Sequence, residues 1–254
     1  MIDRIIHQIW IGPTPPPQKW LDTWTDKNPN WQYKLWDNEA VLGRKWKNQR
    51  IIDIYVDRYN EHIKGETIAQ DTFKLNSGIL LKGSKATYFA WHVIADVLRY
   101  EILHEYGGYM PGADSVCQEC IDDKFTDDIE LYTLRTGNLH VKQLAALDRR
   151  YLGQEITGRD KVLHTRYQYD NASPILGARK GHEFLAQCIQ ELNMLETHQL
   201  GEAVDTTGNV FMGKMIRKYK PDITMPDYTL RAERTNDYSI HYSGTTKNTY
   251  HLGR

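Results

Sequence analysis

The sequence predicts an α/β fold, with a mostly parallel central sheet, helices on both of its faces and further helical additions. Three observations favour this class. Short apolar segments rich in β-branched residues alternate along the chain with longer segments of helical periodicity. A length of 254 residues suffices for one large core. No internal repeat, low-complexity tract or shift in composition marks a boundary, so we expect a single domain over residues 1–254.

The first half of the chain supplies two predicted strands. Residues 5–11 form a β-branched run that Gly12 and Pro13 close, which is typical of a buried strand. Residues 31–36 alternate in polarity and predict a second strand, after which Asp37 or Asn38 can cap a short helix. From about residue 44 to residue 82 the pattern is polar and helical, and we expect helices that lie over the sheet.

Residues 91–106 give the clearest helix in the sequence. Its apolar residues follow two neighbouring stripes, and Gly107 with Gly108 is expected to end it. The stripes consist of Val93, Val97 and Tyr100, and of Ile94, Leu98 and Ile102. We therefore expect much of the surface of this helix to be buried.

The second half of the chain continues the alternation of strands and helices. Strands are predicted at residues 129–134, 173–178 and 238–242, and helices at 183–195 and from 206–208 to about 219. This order favours connections that cross over the sheet and so supports the parallel arrangement.

Charge and cysteine content exclude several classes of protein. Thirty-two Lys and Arg against 33 Asp and Glu give a formal charge of -1, so no overall basic field indicates nucleic acid or an anionic membrane. No apolar run is long enough for a membrane span and the first residues do not form a secretory signal, which predicts a cytoplasmic protein. Three Cys are too few for a disulfide framework, and the CxxC of Cys117 and Cys120 is half a zinc site at most.

Asp96 and Arg99 are the first candidates for chemistry. They are three residues apart on the predicted helix and therefore share one face. A surface ion pair is the ordinary alternative, because such pairs are common and individually weak. However, charges beside an apolar stripe must be satisfied by each other or by a ligand.

These residues belong to a segment that resembles a known family. The run from Ala95 to Tyr100, followed by Tyr106-Gly107-Gly108, is similar to the signature of glycosyltransferases with an Asp-x-Asp sugar-binding motif. This group includes mannosyltransferases of the yeast type, capsular polysaccharide transferases and clostridial glucosylating toxins. Further matching segments follow in the family's order: 5–12, 28–29, 35–37, 171–182, Thr207-Gly208 and 241–244.

The resemblance implies a GT-A fold, in which one Rossmann-like domain binds a nucleotide-sugar donor at the carboxyl ends of the central strands. It implies that Trp10 stacks on the nucleobase, and that Asp96 and Arg99 bind the transferred sugar and act in catalysis. The residues carried over to the donor site are Ile9, Trp10, Asp96, Arg99, Gly108, Ala113, Asp114 and Ser243.

The metal site is where the sequence departs from the family. The Asp-x-Asp motif corresponds to Gly112-Ala113-Asp114, so the first Asp is absent. By resemblance, Asp114 is a catalytic metal ligand, joined by His241 or by Ser243 from the closing loop, and the cofactor is Mn²⁺ or Mg²⁺. Hard cations accept water and phosphate oxygens in place of a lost ligand.

The resemblance thus implies transfer of a hexose-type sugar, with retention, from a donor in which UDP is favoured. A basic stretch interleaved with tyrosines suggests an acceptor site at Arg166, Tyr167 and Asn171, although a solvated surface is the ordinary alternative. The acceptor is thus a glycan, a small molecule or modified bases in DNA. A third alternative is a non-catalytic relative that binds the sugar nucleotide through a degraded motif. The sequence does not determine the oligomeric state.

Overall fold

A computed structural model describes most of the chain. The described residues are 1–12, 15–63, 73–74, 80–81, 84–134, 138–158, 160–161, 164, 175–201, 203–226 and 239–241. Within them the elements run in the order β1 (Ile5–Ile9), α1 (Gln18–Lys27), β2 (Gln32–Trp36), α2 (Asn38–Leu42), α3 (Gln49–Ile63), β3 (Phe73–Lys74), β4 (Leu80–Leu81), α4 (Ser84–Tyr106), β5 (Gly108–Met110), β6 (Ser115–Cys117), β7 (Leu131–Thr133), α5 (Asn138–Tyr151), β8 (Leu176–Ala178), α6 (Glu183–Asn193), α7 (Ala203–Thr206), α8 (Asn209–Tyr219) and β9 (Ser239–His241).

A five-stranded sheet in the order β2-β1-β5-β8-β7 forms the centre of the molecule. β1 is parallel to both β2 and β5, whereas β8 is antiparallel to both of its neighbours, β5 and β7. Four of the five strands therefore point in the same direction, which confirms the predicted α/β class and the mostly parallel sheet. The reversed direction of β8 was not predicted.

Helices and loops cover both faces of the sheet. Tyr109 and Met110 are successive residues of β5, and their side chains enter two different core clusters, as the alternation of a strand requires. The cluster around Met110 contains the apolar residues of α3, α4 and α6. The cluster around Tyr109 contains Trp24 of α1 together with Phe125.

Helix α4 lies at the centre of the larger cluster and packs against α3 and α6. All residues of both predicted stripes are at most 1% exposed. The carboxylate of Glu101, only 5% exposed, faces the start of α3. Its two oxygens accept hydrogen bonds from the backbone N–H groups of Lys47 (2.6 Å) and Asn48 (2.7 Å) and from Asn48 Nδ2 (3.1 Å). Glu101 therefore satisfies donors that the beginning of α3 leaves without helical partners.

The turn from α4 into β5 is fixed by a buried histidine. His7 of β1 is fully buried, its Nδ1 accepts a hydrogen bond from Trp36 Nε1 (3.1 Å), and its Nε2 lies 3.0 Å from the carbonyl oxygen of Gly107. Because Nδ1 accepts, the ring proton lies on Nε2 and is donated to Gly107. Burial lowers the pKa of His7 from 6.5 to about 4, although the bond to Gly107 opposes the shift. The neutral ring thus joins β1, β2 and the end of α4.

Two glycines make this turn possible. Gly107 and Gly108 both have positive φ, +70° and +102°. A Cβ at Gly108 would lie 2.4 Å from the carbonyl oxygen of Ile5, so no side chain fits between β5 and β1. The pair was expected only to end the helix, but Gly108 in fact begins β5, the strand that leads to the candidate site.

Three predicted boundaries are wrong. The first strand ends at Ile9 and not at residue 11. Helix α4 begins at Ser84, seven positions before the predicted start, because its polar first turns show no apolar stripe. The helical segment predicted for residues 44–82 contains the antiparallel pair β3 and β4. No helix in the described part of the chain has the length and apolar character needed to cross a membrane.

Candidate functional site

The candidate site lies where β1 and β5 end. These two strands are parallel neighbours, so the residues that follow them reach the same edge of the sheet. Trp10 and Gly12 follow β1, and the segment Gly112–Asp114 follows β5. Helix α4 passes behind this edge, since Trp91 lies against Gly12, 3.4 Å from the position that a Cβ would take.

Asp96 and Arg99 form a buried ion pair on α4. Arg99 Nη1 donates to Asp96 Oδ1 over 2.8 Å, and the two residues are 7% and 9% exposed, respectively. The second carboxylate oxygen, Oδ2, accepts a hydrogen bond from Thr207 Oγ1 over 3.2 Å. Burial raises the pKa of Asp96, while Arg99 and Thr207 oppose this shift because they stabilise the carboxylate. The alternative of an exposed surface pair is therefore wrong.

The predicted Thr-Gly turn meets the ion pair directly. The Tyr100 hydroxyl donates to the carbonyl oxygen of Thr207 over 2.6 Å, which fixes the turn against α4. Gly208 follows, and a Cβ there would lie 3.1 Å from Asp96 Oδ2. Two segments about 110 positions apart in sequence thus come together around one carboxylate.

The turn after β5 is held through the carbonyl oxygen of Gly112. This oxygen accepts hydrogen bonds from Gln8 Nε2 (3.1 Å), the backbone N–H of Ser115 (3.2 Å) and Ser115 Oγ (2.5 Å). Asp114 within this turn is half-buried. Its charge acts on His92 of α4, so the turn and the helix approach each other at this point.

Trp10 and Ala113 pack together near the ends of the same strands. With Leu21 of α1 they form a small apolar cluster in which Trp10 is 9% exposed and Ala113 7%. The loop after Trp10 is tied to α2, because Asn38 Oδ1 accepts from Gly12 N (2.9 Å) and Asn38 Nδ2 donates to Gly12 O (2.8 Å). A tenth of the Trp10 surface is open to a ligand.

His92 was not among the predicted site residues. It lies one helical turn before Asp96 and two turns before Arg99, on the same face of α4. Burial lowers its pKa to about 4, Asp114 acts to raise it, and Arg99 acts to lower it further. The spacing of four residues from Asp96 is the sequence signal that could have identified it.

The other predicted site residues divide into two groups. Ile9 ends β1 and Gly108 begins β5, so both belong to the strands that lead to the site. His241 lies in β9, opposite Ser115 in an antiparallel pair with β6, and so next in register to Asp114. Four predicted residues lie outside the described residues: Ser243, Arg166, Tyr167 and Asn171.

Within the described ranges, no three His, Cys, Asp or Glu side chains form a group that could hold a metal ion. A cavity of about 480 Å³ lies elsewhere, beside the start of β7 and the start of α6. Its lining includes Asp127, Asp128, Glu130, Glu183 and Asp222. Such carboxylates repel a diphosphate, so we place the donor site at the opposite edge of the sheet.

No protein-family model matches the sequence, and no curated protein matches it. Three solved structures are similar over most of the chain. PaToxG glycosyltransferase is 13% identical, with 86% of this chain and 70% of that chain covered and a TM-score of 0.49. The UDP-bound glycosyltransferase domain of the YGT toxin is 10% identical, with coverage of 100% and 87% and a TM-score of 0.41. Mouse xyloside xylosyltransferase 1 is 8% identical, with coverage of 88% and 85% and a TM-score of 0.38. All three bear the names of glycosyltransferases, the class that the sequence resembles.

Proposed function

We propose that the chain is a single-domain GT-A glycosyltransferase that transfers a hexose-type sugar from a nucleotide-sugar donor, with UDP favoured, to an acceptor hydroxyl with retention. One observation carries the proposal: the Asp96–Arg99 ion pair is buried beside the carboxyl ends of two parallel strands. A buried ion pair is often no more stabilising than apolar residues of the same volume. Its position at the edge where such sheets bind ligands supports a role in binding.

The two charged residues suit a sugar. The carboxylate of Asp96 accepts hydrogen bonds from sugar hydroxyls, and the guanidinium of Arg99 donates in a fixed fork. Thr207 and Arg99 hold the carboxylate in one orientation, so it meets the donor already positioned. Trp10 supplies an aromatic surface for the base.

Catalysis would then consist of positioning and electrostatic stabilisation, without a protein nucleophile. A divalent cation bound at Asp114 would offset the charge that grows on the leaving diphosphate. The positive charge of Arg99 lies beside the same site and acts in the same direction.

Release of UDP from UDP-sugars in the presence of Mn²⁺ tests the proposal. Asp96→Asn, which keeps the shape of the side chain, should lower turnover by about 100-fold or more, the scale seen when a transition-state contact is lost. Glu105→Gln is the matched control, because Glu105 lies on the same helix in an exposed ion pair with Arg44. It should keep wild-type turnover.

The outcomes separate the alternatives. Failure of every nucleotide sugar to raise the melting temperature would contradict donor binding. Binding without release by the wild type would indicate a non-catalytic relative. Filter binding to DNA over a salt series tests the DNA acceptor, because phosphate contacts give a steep salt dependence.

A further inference from the structure

His92 faces the candidate site from α4. The residue is half-buried, whereas its neighbours Trp91, Val93 and Ile94 are buried at 8%, 0% and 1% exposure. It lies four residues before Asp96 and seven before Arg99, so all three side chains leave the same face of the helix. This face is turned toward the segment that follows β5, since both Asp114 and Arg99 act electrostatically on the His92 ring.

The Gly112 backbone does not replace the missing carboxylate of the motif. Its carbonyl oxygen already accepts three hydrogen bonds, two from Ser115 and one from Gln8. An oxygen so engaged has no lone pair left to ligate a cation. A second protein ligand beside Asp114 must therefore come from another element.

We propose that His92 and Asp114 together ligate the divalent cation that binds with the donor, so that a nitrogen donor from α4 takes the place of the absent first carboxylate. This inference rests on the proposed function. The donor set fits a cation: one carboxylate oxygen and one imidazole nitrogen lie near each other, and diphosphate oxygens and water complete the coordination.

An imidazole changes which metal the site prefers. Carboxylate and water suit Mg²⁺, whereas imidazole shifts preference toward later first-row metals. The site should therefore bind Mn²⁺ more tightly than Mg²⁺. His92→Asp, which supplies the oxygen ligand of the ordinary motif, should reduce this discrimination.

Electron paramagnetic resonance of Mn²⁺, without donor and without turnover, tests the inference. Titration of the full chain with Mn²⁺ alone should give binding that His92→Ala weakens about ten-fold or more. His104→Ala is the matched control, because His104 lies on the same helix near the opposite edge of the sheet; it should keep wild-type affinity. Pulsed measurements on the wild type should show coupling of Mn²⁺ to an imidazole ¹⁴N, so the test does not depend on the folding of a variant.

Two results would overturn the inference. One is equal Mn²⁺ affinity of the wild type and a folded His92→Ala variant. The other is a ¹⁴N coupling that persists in His92→Ala and disappears in His241→Ala. A separate titration with UDP distinguishes this failure from that of the proposed function: UDP binding that stays intact while His92 proves irrelevant to Mn²⁺ sinks only the role of His92, and absent UDP binding sinks the donor site.

Discussion

Acidification should destabilise the chain through His7 at a pH where most carboxylates are still ionised. In the folded state the pKa of this ring is lowered to about 4, and in the unfolded chain it returns to 6.5. Between these values the unfolded state binds a proton that the folded state does not, so stability falls as the pH falls from 6.5 to 4. At one pKa unit per 1.36 kcal/mol, the full difference is about 3 kcal/mol, of which about 2 kcal/mol is lost by pH 5.

Urea unfolding of wild type and His7→Gln between pH 7 and pH 5 measures this contribution. The variant is less stable at pH 7, because a single amide cannot satisfy both Trp36 Nε1 and the Gly107 carbonyl. It lacks the titrating ring, so the stability difference between the two proteins should narrow by about 2 kcal/mol at pH 5. His198→Gln is the control, since this side chain is 74% exposed and its ring stays in water on folding. A gap that stays constant over the pH range would refute the assignment of a neutral, buried His7.

Two further predictions concern the fold around α4. Glu101→Ala leaves three donors near the start of α3 without their acceptor and should lower the free energy of unfolding by about 3 kcal/mol, against at most about 1 kcal/mol for the exposed Glu105→Ala, both measured by urea unfolding; equal losses would show that the buried carboxylate is dispensable. Gly108→Ala should cost more than about 2 kcal/mol because its Cβ meets the Ile5 carbonyl, whereas Gly153→Ala, also at positive φ but with open space around it, should cost about 1 kcal/mol; similar melting temperatures for the two variants would contradict the close approach of β5 to β1.

Periodicity explains which elements could be predicted. The stripes of α4 and the β-branched run of β1 repeat over enough residues to define a face, and both were identified from sequence. The direction of β8 is set by pairing with β5 and β7, more than 40 residues away on either side, and its three residues do not encode it. β3 and β4, with two residues each, are too short to show any alternation.

The candidate site was predictable as a set of residue types and only partly as an arrangement. Asp96, Arg99 and the Thr207 turn were each found through the family resemblance. Their hydrogen bonds depend on the packing of α4 against the segment before α8, which a single sequence does not specify. His92 was missed because a histidine among apolar residues gives no sign of the face on which it lies until the helix register is known.

The central position of α4 has a consequence for how this chain can diverge. The same helix fills the larger core and presents the ion pair, so a change that loosens one of its buried positions also displaces the charges beside it. Engineered replacement of Asp96 and Arg99 by apolar residues would be expected to raise thermal tolerance and abolish ligand recognition in the same step. New specificities are therefore more accessible through the surface loops than through this helix.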